Sequence, residues 1–302
     1  MNYLRFHRDL AADFLQDWSR CAIEETGPLQ GQEVCRVGPE GRDAEVLIWG
    51  DSHLRAFMDG LAQAALEHDT AGLLVWRAGC PPLFGLSKTE NTTTRQEDAT
   101  CLETNRQMRA AIPELTGIKR LLLVGRWSYY AEGAGIGLDK DNTIALQALP
   151  NSKFAGLTQS ELFRAAVAGT FDELAPNFEE IFVLRQVPEI PGYDSRQIAR
   201  DMAHGRLQAG PRLNQQIVVS MGDLTRRVAN SEQPFLDAEI DGKIVFLNSW
   251  RDICDLNECS ALQSGVSYYF DNNHVTNAAA RRMRDLFGPF LTGTFTTSEV
   301  SN

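Results

Sequence analysis

The stretch that decides the fold lies near the start of the chain and reads Glu45-Val46-Leu47-Ile48-Trp49-Gly50-Asp51-Ser52-His53-Leu54-Arg55. The apolar run over 45–49 predicts a short buried strand. Apolar residues at helical spacing follow and predict a helix over 54–68. Ser52 is therefore expected at the carboxyl end of a strand, where open α/β sheets bind ligands. Its hydroxyl is also expected near the N–H groups of a helix N-terminus, which favour negative charge.

Four further apolar runs predict strands, and helical patterns separate them. The predicted strands cover 72–76, 121–125, 180–184 and 243–247. The predicted helices cover 98–111, 158–174, 195–229 with a break at Gly210-Pro211, and 276–291. Residues 128–157 lack helical periodicity, which is typical of a functional loop or a small hairpin. Short buried strands that alternate with helices predict an α/β protein with a parallel sheet covered on both faces.

A serine nucleophile needs a base, and one stretch near the end of the chain contains suitable residues. Asp271 and His274 are three residues apart and can project to one side of a turn. An imidazole that faces Ser52 through Nε2 and is held at Nδ1 by a carboxylate is the usual geometry for activating a hydroxyl. The alternatives are that Ser52 only caps its helix, that His274 is a core histidine and that Asp271 is an ordinary turn residue.

These two motifs resemble a known family. Gly50-Asp51-Ser52-His53 after the first strand, with Asp271 and His274 near the C-terminus, is similar to the SGNH/GDSL hydrolase superfamily. The closer resemblance is to the extracytoplasmic SGNH domain fused to membrane acyltransferase-3 proteins, such as bacterial O-antigen O-acetyltransferases. It spans roughly residues 20–290, and three further stretches carry it: Gly79-Cys80-Pro81-Pro82-Leu83, Gly125-Arg126-Trp127, and the pair Cys254 and Cys259.

The resemblance implies a fold and a division of the chain. The fold is a flavodoxin-like three-layer α/β/α sandwich with a five-stranded parallel sheet, the SGNH hydrolase fold. Residues 45–292 are expected to form the SGNH catalytic domain, with a helical extension over 1–44 and a disordered tail over 293–302. The extension is expected to begin with an amphipathic helix over 1–17. The resemblance suggests that Met1 begins an excised piece of a longer protein with a membrane portion; a complete soluble protein is the alternative.

An oxyanion hole needs hydrogen-bond donors directed at the developing negative charge. The backbone N–H of Ser52 is the first candidate. The resemblance implies a glycine after the second strand, where Gly79 lies, and an asparagine after the third strand. This sequence departs from the family pattern there, because Arg126 follows Gly125 in place of the Gly-x-Asn pattern. The Arg126 guanidinium can donate instead, or it pairs with a local carboxylate.

Two further residues near Ser52 are candidate substrate contacts. His53 adjoins Ser52 and is expected to point elsewhere on the turn, where it shapes the site or binds substrate. Trp127 follows the third strand, and aromatic residues at a site suit the faces of sugars; aromatic residues that flank strands also pack in cores. The same two readings apply to a further group of residues, Tyr129, Tyr130, Tyr268 and Tyr269. Asp51 is expected to bind the turn backbone.

Composition narrows the possible partners. The formal charge is −11 and no basic stripe occurs, so nucleic acid is not an expected partner. No apolar run approaches the roughly 18 residues that span a bilayer. The six cysteines fall into sequence-local pairs, which suit disulfides in an oxidising compartment; free buried thiols in a cytosolic enzyme are the alternative. Zinc is not expected, because no CxxC motif occurs. The pairing expected from proximity is Cys21–Cys35, Cys80–Cys101 and Cys254–Cys259.

The resemblance implies O-acetylation of a bacterial surface glycan through an acyl-Ser52 intermediate, without metal or cofactor. The glycan is the acceptor, and a membrane acyltransferase-3 domain, in the same chain or separate, delivers the acyl group at the periplasmic or extracytoplasmic face of the inner membrane. One alternative is a carbohydrate O-acetyl esterase, and another is a non-catalytic glycan-binding module. A metallophosphoesterase is a third, because Asp51 and His53 form a D-x-H pattern, but its second carboxylate motif is missing.

Overall fold

The computed structural model describes residues 17–150, 154–263 and 266–293. The predicted helix over 1–17 lies outside them except for its last residue, and so does the tail from residue 294. The strands are β1 Cys21–Ile23, β2 Glu33–Val37, β3 Val46–Gly50, β4 Gly72–Trp76, β5 Leu86–Glu90, β6 Arg120–Val124, β7 Ile144–Ala148, β8 Glu180–Leu184, β9 Val218–Ser220, β10 Val245–Leu247, β11 Glu258–Ser260, β12 Leu262–Gln263 and β13 Val266–Ser267. The α-helices are α1 Ser52–Glu67, α2 Arg95–Ala111, α3 Trp127–Glu132, α4 Gln159–Leu174, α5 Ser195–Ala203, α6 Pro211–Gln216, α7 Met221–Ile240, α8 Asn277–Arg282 and α9 Gly288–Thr292.

The five predicted strands form the parallel centre of the main sheet, in the order β4-β3-β6-β8-β10. Numbered along the chain, these parallel strands run 2-1-3-4-5, which is the flavodoxin-like order. This confirms the predicted fold class. The order reverses at β3, so the turn after β3 lies at the switch point where such sheets bind ligands.

The sheet is wider than predicted, because the segment before β3 adds two antiparallel strands. β2 pairs with β4 and β1 pairs with β2, which gives seven strands in all. The described part of the expected helical extension over 1–44 is therefore not helical. Val34, Cys35 and Val37 of β2 are buried, whereas Glu33 and Arg36 are exposed. β1 and β2 have three and five residues and no regular alternation of polar and apolar residues, so the sequence gives no clear strand pattern there.

Alternate residues of the central strands point into two separate cores. Val46 and Ile48 of β3 pack on the face that carries α1 and α8, whereas Leu47 and Trp49 pack on the opposite face with α4. Every residue of β3 is buried, as expected for a strand with helices on both sides. The layers are thus helix, sheet and helix.

Helices α1 and α8 pack closely, and this contact joins the two ends of the chain. A Cβ atom at Gly60 would collide with the backbone carbonyl of Ala280, so only glycine allows this approach. α1 begins at Ser52 and α8 begins three residues after His274. The packing therefore brings the N-terminal and C-terminal motifs to one edge of the sheet.

Several element boundaries differ from the predictions. α2 begins at Arg95 rather than 98, because Thr94 and Glu97 form a capping box in which each accepts a hydrogen bond from the backbone of the other. The segment over 128–157, which was expected to lack a helix, contains most of α3, a helix too short to give a periodic pattern. It also contains β7, which pairs with β5 in a separate two-stranded sheet. α7 continues to Ile240 through an internal proline. The expected helix over 276–291 is divided into α8, a 3-10 turn and α9.

All three expected disulfides are present. Cys21–Cys35 joins paired positions of β1 and β2. Cys80–Cys101 joins the turn after β4 to α2, and Cys254–Cys259 closes a short loop before β11. Each bridge links residues that are close in sequence, with separations of 14, 21 and 5 residues.

Candidate active site

Ser52 is the first residue of α1, directly after the turn that ends β3. Asp51 is the N-cap of this helix, and its Oδ1 accepts a hydrogen bond of 2.8 Å from the backbone N–H of His53. Its Oδ2 accepts from the backbone N–H of Arg126 at 2.8 Å and from the Tyr130 hydroxyl at 2.5 Å. The predicted hydrogen bonding of Asp51 to the backbone of the turn is confirmed. The same carboxylate also fixes the turn after β3 to the turn after β6.

The structure brings together the three residues predicted to form a triad. His274 Nε2 lies 2.8 Å from Ser52 Oγ, although the two residues are 222 positions apart in the chain. His274 Nδ1 lies 2.9 Å from Asp271 Oδ2 and 3.1 Å from Oδ1. The imidazole is therefore oriented with one nitrogen on the carboxylate and the other on the hydroxyl, which is the arrangement that removes a proton from serine.

Asp271 is held in its ionised form by its surroundings. Its Oδ1 accepts backbone hydrogen bonds from Asn273 at 3.0 Å and from His274 at 2.8 Å. Burial acts to raise the pKa of Asp271, but the His274 imidazole and these two N–H groups outweigh it and hold the pKa well below its ordinary value. A carboxylate that stays charged stabilises the imidazolium that forms when His274 accepts a proton.

His53 lies buried against the other face of the triad imidazole. Its ring stacks on the His274 ring with centroids 4.7 Å apart, and its side chain is 2 % exposed. Burial lowers the pKa of His53 further than the adjacent Asp51 carboxylate raises it, so the ring is neutral near pH 7. Of the two predicted roles for His53, the structure favours shaping the site over contact with substrate.

Trp127, predicted to bind substrate, is placed in the core. Its side chain is 1 % exposed, its Nε1 donates to the backbone oxygen of Leu184 at 2.9 Å, and its ring packs on Phe235. Trp127 is the first residue of the short helix α3, and its ring packs against α7 in the core. The other aromatic residues of the same prediction are buried as well: Tyr129, Tyr130, Tyr268 and Tyr269.

Gly79 lies in the turn after β4, beside the turn that carries Ser52. Its φ of +61° is in the left-handed region that glycine tolerates best. A Cβ atom at this position would lie 2.8 Å from Glu90 Oε2, so the carboxylate approaches the backbone closely. The Cys80–Cys101 disulfide holds the adjacent residue to α2. The Glu90 carboxylate and the Cys80–Cys101 disulfide therefore both restrict the position of this turn.

The Arg126 guanidinium is engaged by two carboxylates, as the alternative in the sequence interpretation foresaw. Its Nε donates to Glu189 Oε1 at 2.8 Å, and its Nη2 pairs with Asp139 and with Glu189. Burial acts to lower the pKa of Arg126, but these two anions outweigh it and raise the pKa. Nη1 is the guanidinium nitrogen that these ion pairs do not use.

Sequence reasoning missed a buried charge cluster beneath the site. Glu189 is 1 % exposed and also accepts from Arg227 Nε at 2.7 Å, so it bridges two arginines. Asp139, besides its pair with Arg126, accepts from Asn272 Nδ2 at 2.8 Å and so reaches the loop that carries the triad. Glu189, Asp139 and Arg227 belong to no local motif, and the sequence signal near Glu189 is the rigid Pro188 to Pro191 segment.

Within the described ranges, no group of three His, Cys, Asp or Glu side chains is arranged to hold a metal ion. Of the helices in the same residues, none is long and apolar enough to cross a membrane.

A serine, a histidine and an aspartate in hydrogen-bond contact at the switch point of a flavodoxin-like sheet define an SGNH-type acyltransferase or esterase. The chain belongs to the family of SGNH domains fused to AT3 domains, whose model matches residues 20–289. The sequence resemblance is confirmed. A sequence search of curated proteins finds no match.

Two solved structures are similar to this chain at low sequence identity. The periplasmic domain of a lipopolysaccharide acetyltransferase from Salmonella ser. Paratyphi A is 13 % identical, with a TM-score of 0.50 over 82 % of this chain and 83 % of that chain. A carbohydrate acetylesterase from Sinorhizobium meliloti is 9 % identical, with a TM-score of 0.41 over 84 % of this chain and 100 % of that chain.

Proposed function

We propose that the protein transfers an acetyl group to a hydroxyl of a bacterial surface glycan, through an acyl-Ser52 intermediate. The observation that carries the proposal is the 2.8 Å contact between His274 Nε2 and Ser52 Oγ, with Nδ1 held by Asp271. The fused AT3 domains that define the family support an acyl donor delivered by a membrane acyltransferase-3 domain. Three disulfides are consistent with work at the periplasmic face of the inner membrane.

The reaction has two halves that use the same base. In the first, His274 Nε2 takes the Ser52 proton while Oγ attacks the acetyl carbonyl of an activated ester, and the proton then passes to the departing donor group. In the second, His274 takes the proton of a sugar hydroxyl, and the sugar oxygen attacks the acetyl carbon on Ser52. The Ser52 Oγ leaves with the proton from His274, which restores the free enzyme.

The tetrahedral intermediates need donors for their oxyanion. We assign the backbone N–H groups of Ser52 and Gly79, and Nη1 of Arg126, to this role. Ser52 contributes the N–H of a helix N-terminus, where the helix dipole favours negative charge. The Arg126 guanidinium is held in one orientation by Glu189 and Asp139, so no side-chain entropy is lost when it binds the oxyanion.

An esterase is the second candidate, because water reaches the triad. The His274 side chain is 18 % exposed and Asp271 is 23 % exposed, and Ser52 is half-buried. Water that attacks the acyl-enzyme gives hydrolysis by the same steps. The glycan-binding module without catalysis, another alternative from the sequence, is disfavoured by the intact contacts of Ser52 with His274 and of His274 with Asp271.

The test compares acetyl release from para-nitrophenyl acetate by the parent protein, by Ser52→Ala and by His274→Ala, with and without an acceptor glycan. We expect both variants to lose at least about 10³-fold in rate. A serine-reactive fluorophosphonate should label the parent and not Ser52→Ala. Acetylated glycan identifies a transferase, and acetate alone identifies an esterase. Equal rates in the parent and Ser52→Ala, without labelling of Ser52, would exclude catalysis by Ser52 and favour the glycan-binding module.

A further inference from the structure

A pocket of about 440 Å³ opens beside Gly79, at the carboxyl end of β4. It lies between the turn after β4, the start of β2 and the N-terminal part of α2. Its principal lining residues are Glu33, Trp76, Arg77, Gly79, Glu90 and Thr100. A pocket of this volume is large enough for a sugar unit of a glycan chain.

The pocket adjoins the turn that carries Ser52. Trp76 is the register partner of Gly50, and the backbone N–H of Arg77 donates to the Gly50 carbonyl at 3.0 Å. Gly50 precedes Ser52 by two residues, and paired strands lie about 4.8 Å apart. Any ligand in the pocket is therefore one strand away from the candidate nucleophile, on the side where Gly79 would donate to an oxyanion.

Arg55 forms a second link between the pocket and the triad. It lies three residues after Ser52 on α1, on the same side of the helix. Its guanidinium lies over the Trp76 ring, 5.4 Å from the centroid. Burial lowers the pKa of Arg55 and the Asp271 carboxylate acts in the opposite direction, which places the guanidinium within electrostatic reach of the triad.

An aromatic surface borders the pocket. The Trp76 ring packs on the Trp18 ring with centroids 5.6 Å apart, and Trp18 is 39 % exposed. The exposure of Trp18 distinguishes the Trp18–Trp76 pair from the aromatic residues after β6, which are buried in the core. A sugar ring presents C–H bonds on its faces, and these pack well on an indole surface. The exposed part of the Trp18 side chain offers such a surface next to Trp76.

The polar lining suits hydroxyl groups and disfavours anions. Glu33, Glu90 and Glu97 supply three carboxylates. The buried Lys88 ammonium lies between Glu90 and a fourth carboxylate, Asp98, and the nearby guanidinium groups are those of Arg77 and Arg55, so four carboxylates face three cations and the surroundings are net negative. Hydrogen bonds from Thr94 lower the pKa of Glu97, which is therefore ionised at neutral pH. Carboxylates accept hydrogen bonds from sugar hydroxyls and from ammonium groups, whereas a ligand carboxylate or phosphate would be repelled.

We propose that this pocket is the acceptor subsite and that it binds a neutral or amino-bearing sugar in preference to an acidic one. The inference rests on the proposed function, because it names where the sugar that attacks the acyl-enzyme is held. The Trp18–Trp76 surface takes one face of the sugar, and the carboxylates take its hydroxyl or amino groups.

The test measures sugar binding directly, in a Ser52→Ala background so that no chemistry is needed. The probes are the methyl glycosides of glucose, galactose, mannose and glucosamine, with methyl galacturonide as the acidic comparison, followed by saturation-transfer NMR and titration. Thr100→Trp fills the pocket from the α2 side. Ala99→Trp is the matched control, because it places the same side chain on an exposed position of the same helix outside the pocket.

We expect at least one neutral or amino glycoside to bind, with affinity at least tenfold lower in Thr100→Trp and equal to the parent in Ala99→Trp. Trp18→Ala, at an exposed position, should weaken binding at least fivefold and covers the case in which Thr100→Trp does not fold. Equal binding in both tryptophan variants and in Trp18→Ala, tighter binding of the galacturonide, or no glycoside binding at all would each overturn the proposal.

Fluorophosphonate labelling of Ser52 in the parent is scored separately. Sugar binding without labelling would reject the proposed function alone, and labelling without pocket-dependent sugar binding would reject this subsite alone.

Discussion

The imidazole of His53 lies flat against the imidazole of His274, with ring centroids 4.7 Å apart and an angle of 24° between the planes. Asp271 holds the edge of the His274 ring and His53 supports its face. His53 Nδ1 lies 3.4 Å from Asp51 Oδ1 without a hydrogen bond between them, so burial and ring stacking hold the supporting ring in place. Because His53 is neutral, it supports the ring without repelling the imidazolium that forms during proton transfer.

His53→Phe retains a flat ring under His274, and His53→Ala removes it. We expect kcat to stay within about threefold of the parent in His53→Phe and to fall about tenfold in His53→Ala, because the base loses its orientation. KM for para-nitrophenyl acetate should change little in either variant. A higher KM with unchanged kcat in His53→Phe would favour the predicted substrate contact instead.

Arg126 and Arg227 provide a matched pair of variants. Both guanidinium groups bind the buried Glu189 carboxylate, so Arg126→Gln and Arg227→Gln each remove one partner of that anion. We expect both to be destabilised, by about 3 kcal/mol or more in urea unfolding. Only Arg126 is assigned to the oxyanion, so its variant should also lose about 10²-fold in kcat.

Equal losses of kcat in the two arginine variants, measured well below their unfolding midpoints, would count against the oxyanion role. That result would indicate that Arg126 has a structural role only, through its ion pairs.

The Cys80–Cys101 disulfide holds the turn that carries Gly79, and its removal should affect both stability and rate. Closing the longer separation of 21 residues should contribute about 3 kcal/mol to the free energy of unfolding, against about 2 kcal/mol for the separation of 5 residues at Cys254–Cys259. We expect the Cys80→Ser/Cys101→Ser variant to lose about tenfold in kcat, because the Gly79 N–H is misplaced.

The Cys254→Ser/Cys259→Ser variant is the control for this comparison. It loses a bridge of the same chemistry outside the assigned oxyanion hole, so its kcat should stay near that of the parent. A similar loss of kcat in both double variants would show that the effect is global.

Glu189 should make folding sensitive to acid. Burial acts to raise its pKa, but Arg126 and Arg227 outweigh it and lower the pKa from 4.5 to about 2. Because the folded pKa is depressed, the stabilisation is complete above the unfolded pKa and is lost as the pH falls through the folded value. The free energy of unfolding should therefore fall by about 2 kcal/mol from this group between pH 6 and pH 3.

Urea unfolding of the parent and Glu189→Gln at pH 6 and pH 3 measures this contribution. The variant should be less stable at pH 6, because it removes the buried carboxylate that Arg126 and Arg227 share, but it should lose less stability on acidification. Glu25→Gln, at an exposed position, should behave like the parent. An unchanged pH dependence in Glu189→Gln would exclude the predicted titration.

Local patterns in the sequence predicted the strands, the two site motifs and the disulfides, because each of these depends on a short stretch of residues. Five buried strands were predicted within a residue or two, because each is a brief apolar run between polar turns. The two motifs that contain Ser52 and His274 were predicted to meet, because a serine nucleophile needs a base and Asp271 and His274, three residues apart, can supply it. The disulfides were predicted from separations of 21 residues or fewer.

The sequence by itself therefore determined the fold class, the family and the three residues of the candidate triad. Only the tertiary structure decided which side chains surround them. Glu189 meets Arg126 across 63 positions and Arg227 across 38, and no local window contains such pairs. The stacking of His53 on His274 and the burial of Trp127 likewise depend on how α1, α3 and the C-terminal loop pack on the sheet. Such contacts form when elements far apart in the chain pack together, and the residue pattern of a short segment does not indicate which distant segment it contacts.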